Sequence, residues 1–302
     1  MYVKKYGKTI KLFLMDADPE GRMICELSNW TGKAYRIPRG KVKDCSDRSD
    51  LKSTTVYLLF GKPETSTDKA KVYIGEAENA YARLVSHVSE KEFWNEAVVF
   101  ISKDENLNKA HIKYLESRLF EIAKSTNRYN IQNSNTPTQS SISESDQAEM
   151  EEFIEYIKIL INAMGFKVFE PLVKEEVIIN NHDNNLYIKA ARGANAIGKR
   201  TTDGFVVFEN SEVAISTVES YRKKGLNKLR DELIENGVII KKGDGLIFNQ
   251  DFLFSSPSAA AMVIMGRSAN GLIEWKDSSG TMLRDIEEQE ISQANKQIHP
   301  TD

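Results

Sequence analysis

Residues 54–60 read TTVYLLF and residues 71–75 read KVYIG. Both runs are dense in β-branched and aromatic residues, the composition of strands. Asn79 then stands where a helix N-cap belongs, and Ala80, Leu84, Val85 and Val88 follow at helical spacing. Residues 97–102, AVVFIS, predict a third strand. Residues 108–124 predict a second helix, with Ile112, Leu115, Leu119 and Ile122 on one stripe. Strand, strand, helix, strand, helix within some seventy residues implies a small α+β module with helices against a sheet.

Outward from this stretch, residues 9–15 and 22–28 predict a hairpin around the turn Asp-Pro-Glu-Gly, an N-terminal β extension over residues 1–50. The basic, briefly apolar start reads as a first strand, not a signal peptide. Residues 127–147, NRYNIQNSNTPTQSSISESDQ, have linker composition and form the clearest predicted boundary. An acidic helix follows near residues 143–164, capped by Ser143 and carrying an apolar stripe from Phe153 to Met164. It reads as a connector, within a linker spanning 136–185. Residues 186–286 change texture: short strands broken by Gly and Asn, a basic helix over 218–236, a strand over 246–254, and a Ser256-Pro257 helix start stopped by Gly266. Residues 272–286 predict a closing hairpin, and residues 287–302 a frayed polar tail. The whole is a two-domain α+β chain.

Composition excludes several classes. The chain has 302 residues, 28% charged and 40% hydrophobic, too long for one average domain and too apolar to be disordered throughout. No run approaches the roughly 20 apolar residues that span a bilayer, so no membrane association is expected. Two cysteines, Cys25 and Cys45, are too few for a disulfide framework, which fits a reducing, cytoplasmic setting. The net charge of −3 excludes a general nucleic-acid coat, so any such binding needs a local basic patch.

The chemistry-bearing residues lie in the first module. Tyr57 and Tyr73 stand 16 residues apart on the two strands. Arg83 and His87 share one face of the next helix. Glu116 lies at the edge of the later helix's apolar stripe, where it can cross a shallow surface. Taken singly, each has an ordinary structural explanation: tyrosine suits strands, Arg83 and His87 suit a solvated helix face, and Glu116 can pair with Lys109 or Lys113. His111 and Glu121 read as surface residues, and His182 and His299 have no second ligand at metal spacing.

The ordered set TVYLL, KVYIG, ARLVSH and KAHIKYLESRL resembles the GIY-YIG nuclease family over about residues 54–133. The second motif is intact; the first departs, with Thr55 and Val56 where the family has Gly and Ile. The flanking segments resemble a bacterial subgroup with an extra C-terminal domain. The resemblance implies a GIY-YIG-like mixed sheet and divalent-metal-dependent hydrolysis of DNA phosphodiesters. It implies Tyr57 as the group that orients or activates water, supported by Tyr73, and Arg83 as the phosphate clamp. His87 would assist proton movement. Glu116 would ligate Mg²⁺ or Mn²⁺, and Asn133 is implied only as a polar neighbour of the site. A hard cation on a single carboxylate suits Mg²⁺, which keeps much of its water. No small-molecule cofactor is expected. The alternative is a nucleic-acid-binding or protein-interaction module without turnover, in a restriction or repair system.

Residues 71–124 hold eight basic and nine acidic residues, so this module attracts DNA weakly. Residues 189–245 hold eleven basic and eight acidic, with Arg222, Lys223 and Lys224 as DNA-contacting candidates. A solvated helix face explains them equally well. Residues 186–285 resemble a domain of unknown function found behind GIY-YIG domains, and are similar in outline to small RAMA-type domains of restriction and methylase systems. A role in recognition of DNA or a partner is implied.

Overall fold

The computed structural model describes residues 6–65, 67–173, 184–223 and 227–298. It divides into two units, Met1–Pro171 and Leu172–Asp302, and the fold is mixed α+β.

The first unit is built on one seven-stranded sheet. Its elements are β1 (Ile10–Leu14), β2 (Met23–Leu27), β3 (Gly32–Pro38), β4 (Thr55–Gly61), β5 (Lys71–Ala77), α1 (Ala80–Glu90), β6 (Glu96–Ser102), α2 (Lys109–Thr126), β7 (Asn130–Ile131) and α3 (Glu144–Ala163). The strand order is β1-β2-β3-β6-β4-β5-β7, antiparallel throughout except for the parallel β5–β7 pair. The predicted hairpin is present as β1–β2. It is no separate extension, however, because β3 joins it to β6 along seven residue pairs. β3 was hidden in the sequence by Gly32, Tyr35 and Pro38, which weaken its alternation.

Every residue of β4 is buried, because both faces of the sheet are covered. Val56, Leu58 and Phe60 face a core shared with α2 and α3; Tyr57 and Leu59 face a core shared with α1 and the loop that carries Val42, Cys45 and Leu51. That two-sided burial explains the unbroken apolar run TVYLLF. Asn79 and Ser143 cap their helices as the sequence predicts, and Asn108, expected as the first helical residue, is also a cap; each accepts hydrogen bonds from first-turn amides.

The proposed linker needs correction. Phe153, Ile154, Ile157, Leu160 and Ile161 of α3 are buried in the core of the first unit. Arg118 of α2 also pairs with Glu151 of α3 at 2.6 Å. The polar stretch is therefore a loop inside the unit, and the division falls at Pro171. Apolar stripes decide where a helix docks, and loop polarity does not. His111 is likewise buried, at 8% exposure, against Asn108 and the Asn106 carbonyl, and is no surface residue.

The second unit holds β8 (Leu186–Lys189), β9 (Asn195–Thr201), β10 (Gly204–Val207), β11 (Glu212–Val213), α4 (Glu219–Lys223), α5 (Lys228–Glu235), β12 (Ile239–Lys242), β13 (Gly245–Phe248), β14 (Phe252–Phe254), α6 (Pro257–Met265), α7 (Gly271–Glu274) and α8 (Leu283–Ile298). The antiparallel sheet runs β12-β13-β11-β9-β10-β14, with β8 also on β9. The helix α6 is apolar nearly all round and is the buried centre, with Ala260, Ala261, Val263 and Ile264 at most 1% exposed. Three expectations change here. The described residues of 218–236 form two helices, α4 and α5, not one. Residues 246–254 are two strands, because β13 pairs with β12 and β11 whereas β14 pairs with β10. The closing hairpin is a single bridge between Lys276 and Met282, and the polar tail continues as α8. Arg200 fixes α8 through Glu287 and Glu290, a tertiary tie that composition cannot show.

Candidate active site

Antiparallel pairing of β4 and β5 sets Tyr57 opposite Gly75 and Leu59 opposite Tyr73. The Tyr57 ring lies over Gly75: a Cβ at that glycine would sit 2.5 Å from Tyr57 Oη and 2.8 Å from Tyr73 Cε1. Glycine is needed here for space. The α1 helix crosses the same face and carries Arg83 and His87 one turn apart.

Tyr57 Oη lies 2.7 Å from His87 Nε2, and Arg83 Nε donates to the same oxygen at 3.3 Å. Burial, then the neighbouring Tyr73, push the Tyr57 phenol above its ordinary range, so it stays protonated. Burial, with Arg83 and Lys91 nearby, pulls His87 down from 6.5 to about 4, so the imidazole is neutral at pH 7. Tyr57 O–H therefore donates to Nε2, and the imidazole proton sits on Nδ1. Nδ1 is buried with no hydrogen-bond partner; the Glu90 carboxylate is 3.8 Å away. An unpaired buried N–H costs about 1–3 kcal/mol, and such groups concentrate at functional sites. Tyr73 is half-buried, packs edge-on against His87 at 5.4 Å, and has Lys91 Nζ 4.5 Å above its ring.

Glu116 projects from α2, on the other side of the sheet from Tyr57. It is half-buried and forms no ion pair among the described residues. Burial first, then Glu76, raise its carboxyl from 4.5 to about 7, while Lys113 and Arg83 oppose the rise. The expected pairing with Lys109 does not form, since Lys109 bonds Glu78 at 3.2 Å. Glu116 and the tyrosine cluster are in electrostatic reach around β5, whose outer neighbour β7 covers only Lys71 and Val72. A carboxylate, Glu116, whose ionised form is disfavoured by burial and by Glu76 suits a divalent cation. Among the described residues no cluster of three or more His, Cys, Asp or Glu exists, so a bound cation would keep most of its water, as Mg²⁺ does.

The structure thus joins Tyr57, Tyr73, Arg83 and His87 directly and places Glu116 within their field. Asn133 does something else: its side chain donates to the Ile74 carbonyl at 2.7 Å and accepts from the Ile74 amide at 3.0 Å. It substitutes for a strand neighbour on β5 and so holds the strand that carries Tyr73 and Gly75. Glu76 and Lys91 were missed in the sequence. The signals were there: Glu76 follows Gly75 and so faces α2 by strand alternation, and Lys91 is four residues past His87. In the second unit, Arg222 bonds Thr217 Oγ1 at 2.8 Å and Lys223 pairs with Glu219 at 2.8 Å. Lys224, His182 and His299 lie outside the described residues.

Strands β8 to β14, the α6 helix and the start of α8 fall within the stretch that matches a known family. Residues 186–287 match a domain of unknown function, DUF4357. That DUF4357 region covers the whole sheet of the second unit and leaves the first unit without a family match. No curated protein and no solved structure gives a significant match to the chain. Among the described residues, no helix is long and apolar enough to cross a membrane.

Proposed function

We infer that the first unit is a GIY-YIG-type nuclease module that hydrolyses DNA phosphodiesters with a divalent cation, in a cytoplasmic setting, and that the DUF4357 region serves recognition. The observation that carries this is the Tyr57 hydroxyl held between neutral His87 and cationic Arg83 over a glycine that exists to make room for it. Three sequence segments, β4, β5 and α1, supply these groups, and sheet pairing alone does not require Arg83 and His87 to meet Tyr57.

In this reading Arg83 presents its remaining N–H donors to a phosphate oxygen. Tyr57 orients the attacking water through its hydroxyl, which neutral His87 and Arg83 hold in place. A raised phenol and a depressed imidazole are both unsuited to carry the proton alone, so a divalent cation would supply the acidification of the water. Glu116, with Glu76 beside it, would hold Mg²⁺ or Mn²⁺, which supplies charge neutralisation of the phosphate.

A binding module without turnover is favoured by one observation: Tyr57 is fully buried, at 0% exposure, so water reaches its hydroxyl only if the site opens. Cleavage of supercoiled and linear DNA with Mg²⁺ or Mn²⁺ separates the two readings. Tyr57→Phe and Arg83→Ala should each lower turnover by about 10²-fold or more. Wild-type protein that binds DNA and never cuts it would establish the binding reading.

A further inference from the structure

The second unit contains six arginines, and they divide into two kinds. Arg200, Arg267 and Arg284 each pair with carboxylates. Arg192, Arg222 and Arg230 pair with none among the described residues, and these three converge on one place, the C-terminal end of α6. Arg192 donates to the Met265 carbonyl at 2.6 Å. Arg230, only 2% exposed, donates to the carbonyls of Val263 and Ala214. Arg222 donates through Nε to Thr217, and Thr217 packs against Gly266, the residue after Met265. The backbone closes the arrangement: Ala214 N–H donates to Ile264 O, and Val218 N–H to Gly266 O.

The negative end of α6 offsets part of this charge, about half an elementary charge against three guanidinium groups. Of the nearby carboxylates, Asp231 acts on Arg230 and the other two are committed elsewhere. Asp231 accepts from Asn227, Glu219 pairs with Lys223, and Glu274 pairs with Arg267. Beneath the cluster lies Tyr221, 0% exposed, whose hydroxyl has no hydrogen-bond partner. It lies close enough to Arg230 for each to bias the other's ionisation. Burial first disfavours the charge on Arg230, Tyr221 and Asp231 favour it, and Arg192 and Arg222 again disfavour it. Three guanidinium groups against the one carboxylate of Asp231 leave a net positive field beside an unpaired buried hydroxyl.

The outer donors have the right form for one. Arg222 is exposed, and its Nε bond to Thr217 leaves the two terminal nitrogens available as donors. Arg192 is half-buried and spends one of its five N–H groups on the Met265 carbonyl. Its backbone is left-handed, φ 64°, a conformation that ordinarily favours Gly or Asn. We propose that Arg192 and Arg222 are the contact residues of a phosphate-binding site, with Arg230 and Tyr221 as the buried layer that positions them, and that its ligand is the phosphodiester backbone of a nucleic acid. This moves recognition from the Lys223 end of α4 to the α6 end, and it holds whether or not the first unit cuts.

The test uses the full chain with EDTA, so that no turnover enters. Binding of a fluorescent DNA duplex is titrated over a salt series for wild type, Arg222→Gln, Arg192→Asn with Arg222→Gln, and Lys223→Gln. Asparagine tolerates the left-handed backbone, and Arg222 is exposed, so the single variant keeps the test valid if the double one misfolds. The double variant should weaken binding about tenfold or more at low salt and flatten the salt slope by about two, one per phosphate contact. Lys223→Gln, whose charge is paired with Glu219, should change affinity less than about twofold. Inorganic phosphate is the competitor that identifies the source. Weak competition together with the variant effects supports the backbone assignment; strong competition, lost in the double variant, would replace it with a free phosphate ligand. Unchanged affinity and slope in the arginine variants would overturn the site.

Discussion

Replacing Glu116 by Gln should stabilise the first unit at pH 8 while abolishing cleavage. In the fold the carboxyl is raised from 4.5 to about 7, chiefly by burial and then by Glu76. Between those two values the folded state holds a proton that the unfolded state releases. Stability is therefore lost as pH rises through that window, and the loss is complete above it. The full shift corresponds to at most about 3 kcal/mol. Glu116 is half-buried, and solvent screening reduces this to about 1–2 kcal/mol. For a body of this size that is about 3–6 °C in Tm. Glutamine is isosteric and neutral, so the variant should match wild type at pH 4 and exceed it at pH 8. Thermal unfolding at the two pH values measures the difference. A divalent cation adds a second arm: Mg²⁺ should raise the wild-type Tm at pH 8 and leave Glu116→Gln unmoved, because only the native ionised site binds it. Equal stability of the two proteins at both pH values, or a less stable variant at pH 8, would refute the claim that Glu116 is an uncompensated carboxylate held for a cation.

His87 works in the opposite direction. Its folded value is depressed from 6.5 to about 4, so the fold excludes a proton that the unfolded chain takes up, and stability falls as pH drops through that window, by up to about 3 kcal/mol. His87→Phe should flatten the dependence of Tm on pH over this range, and a variant curve parallel to wild type would show that another group is responsible. Gly75→Ala removes no reacting group, yet its Cβ would collide with Tyr57 Oη and Cζ at 2.5 and 2.6 Å. It should cost about 1–3 kcal/mol by overpacking and shift the pH dependence of Tm, because Tyr57 must leave His87; denaturant unfolding at two pH values reports both.

The sequence alone determined the local pieces of this protein, because local pieces obey local rules. Asn79, Asn108 and Ser143 cap their helices since a short polar side chain is the cheapest partner for a first-turn amide. The runs around Tyr57 and Tyr73 are strands for the steric reasons that favour β-branched and aromatic residues there. The spacing of Arg83 and His87 already put them on one helical face. Burial on both faces of β4 was visible as an unbroken apolar run, though only the covering elements explain it.

Tertiary structure decided what joined what. Whether residues 136–163 were linker or core depended on α3 finding the sheet, and polarity of the preceding loop carried no information about that. The hairpin at the N-terminus became part of the main sheet through β3, whose pairing with β6 joins residues from Pro38–Glu96 to Gly32–Ser102, 58 to 70 positions apart. The tail after Glu287 became helical in contact with Arg200, some ninety residues away. At the candidate site, sequence supplied the cast and structure supplied the bonds: Tyr57 to His87 and Arg83, Asn133 to the backbone of Ile74. The electrostatic state of each group followed only then. A carboxyl at about 7 and an imidazole at about 4 are consequences of burial and neighbours, and both are set by long-range packing that composition and periodicity do not encode.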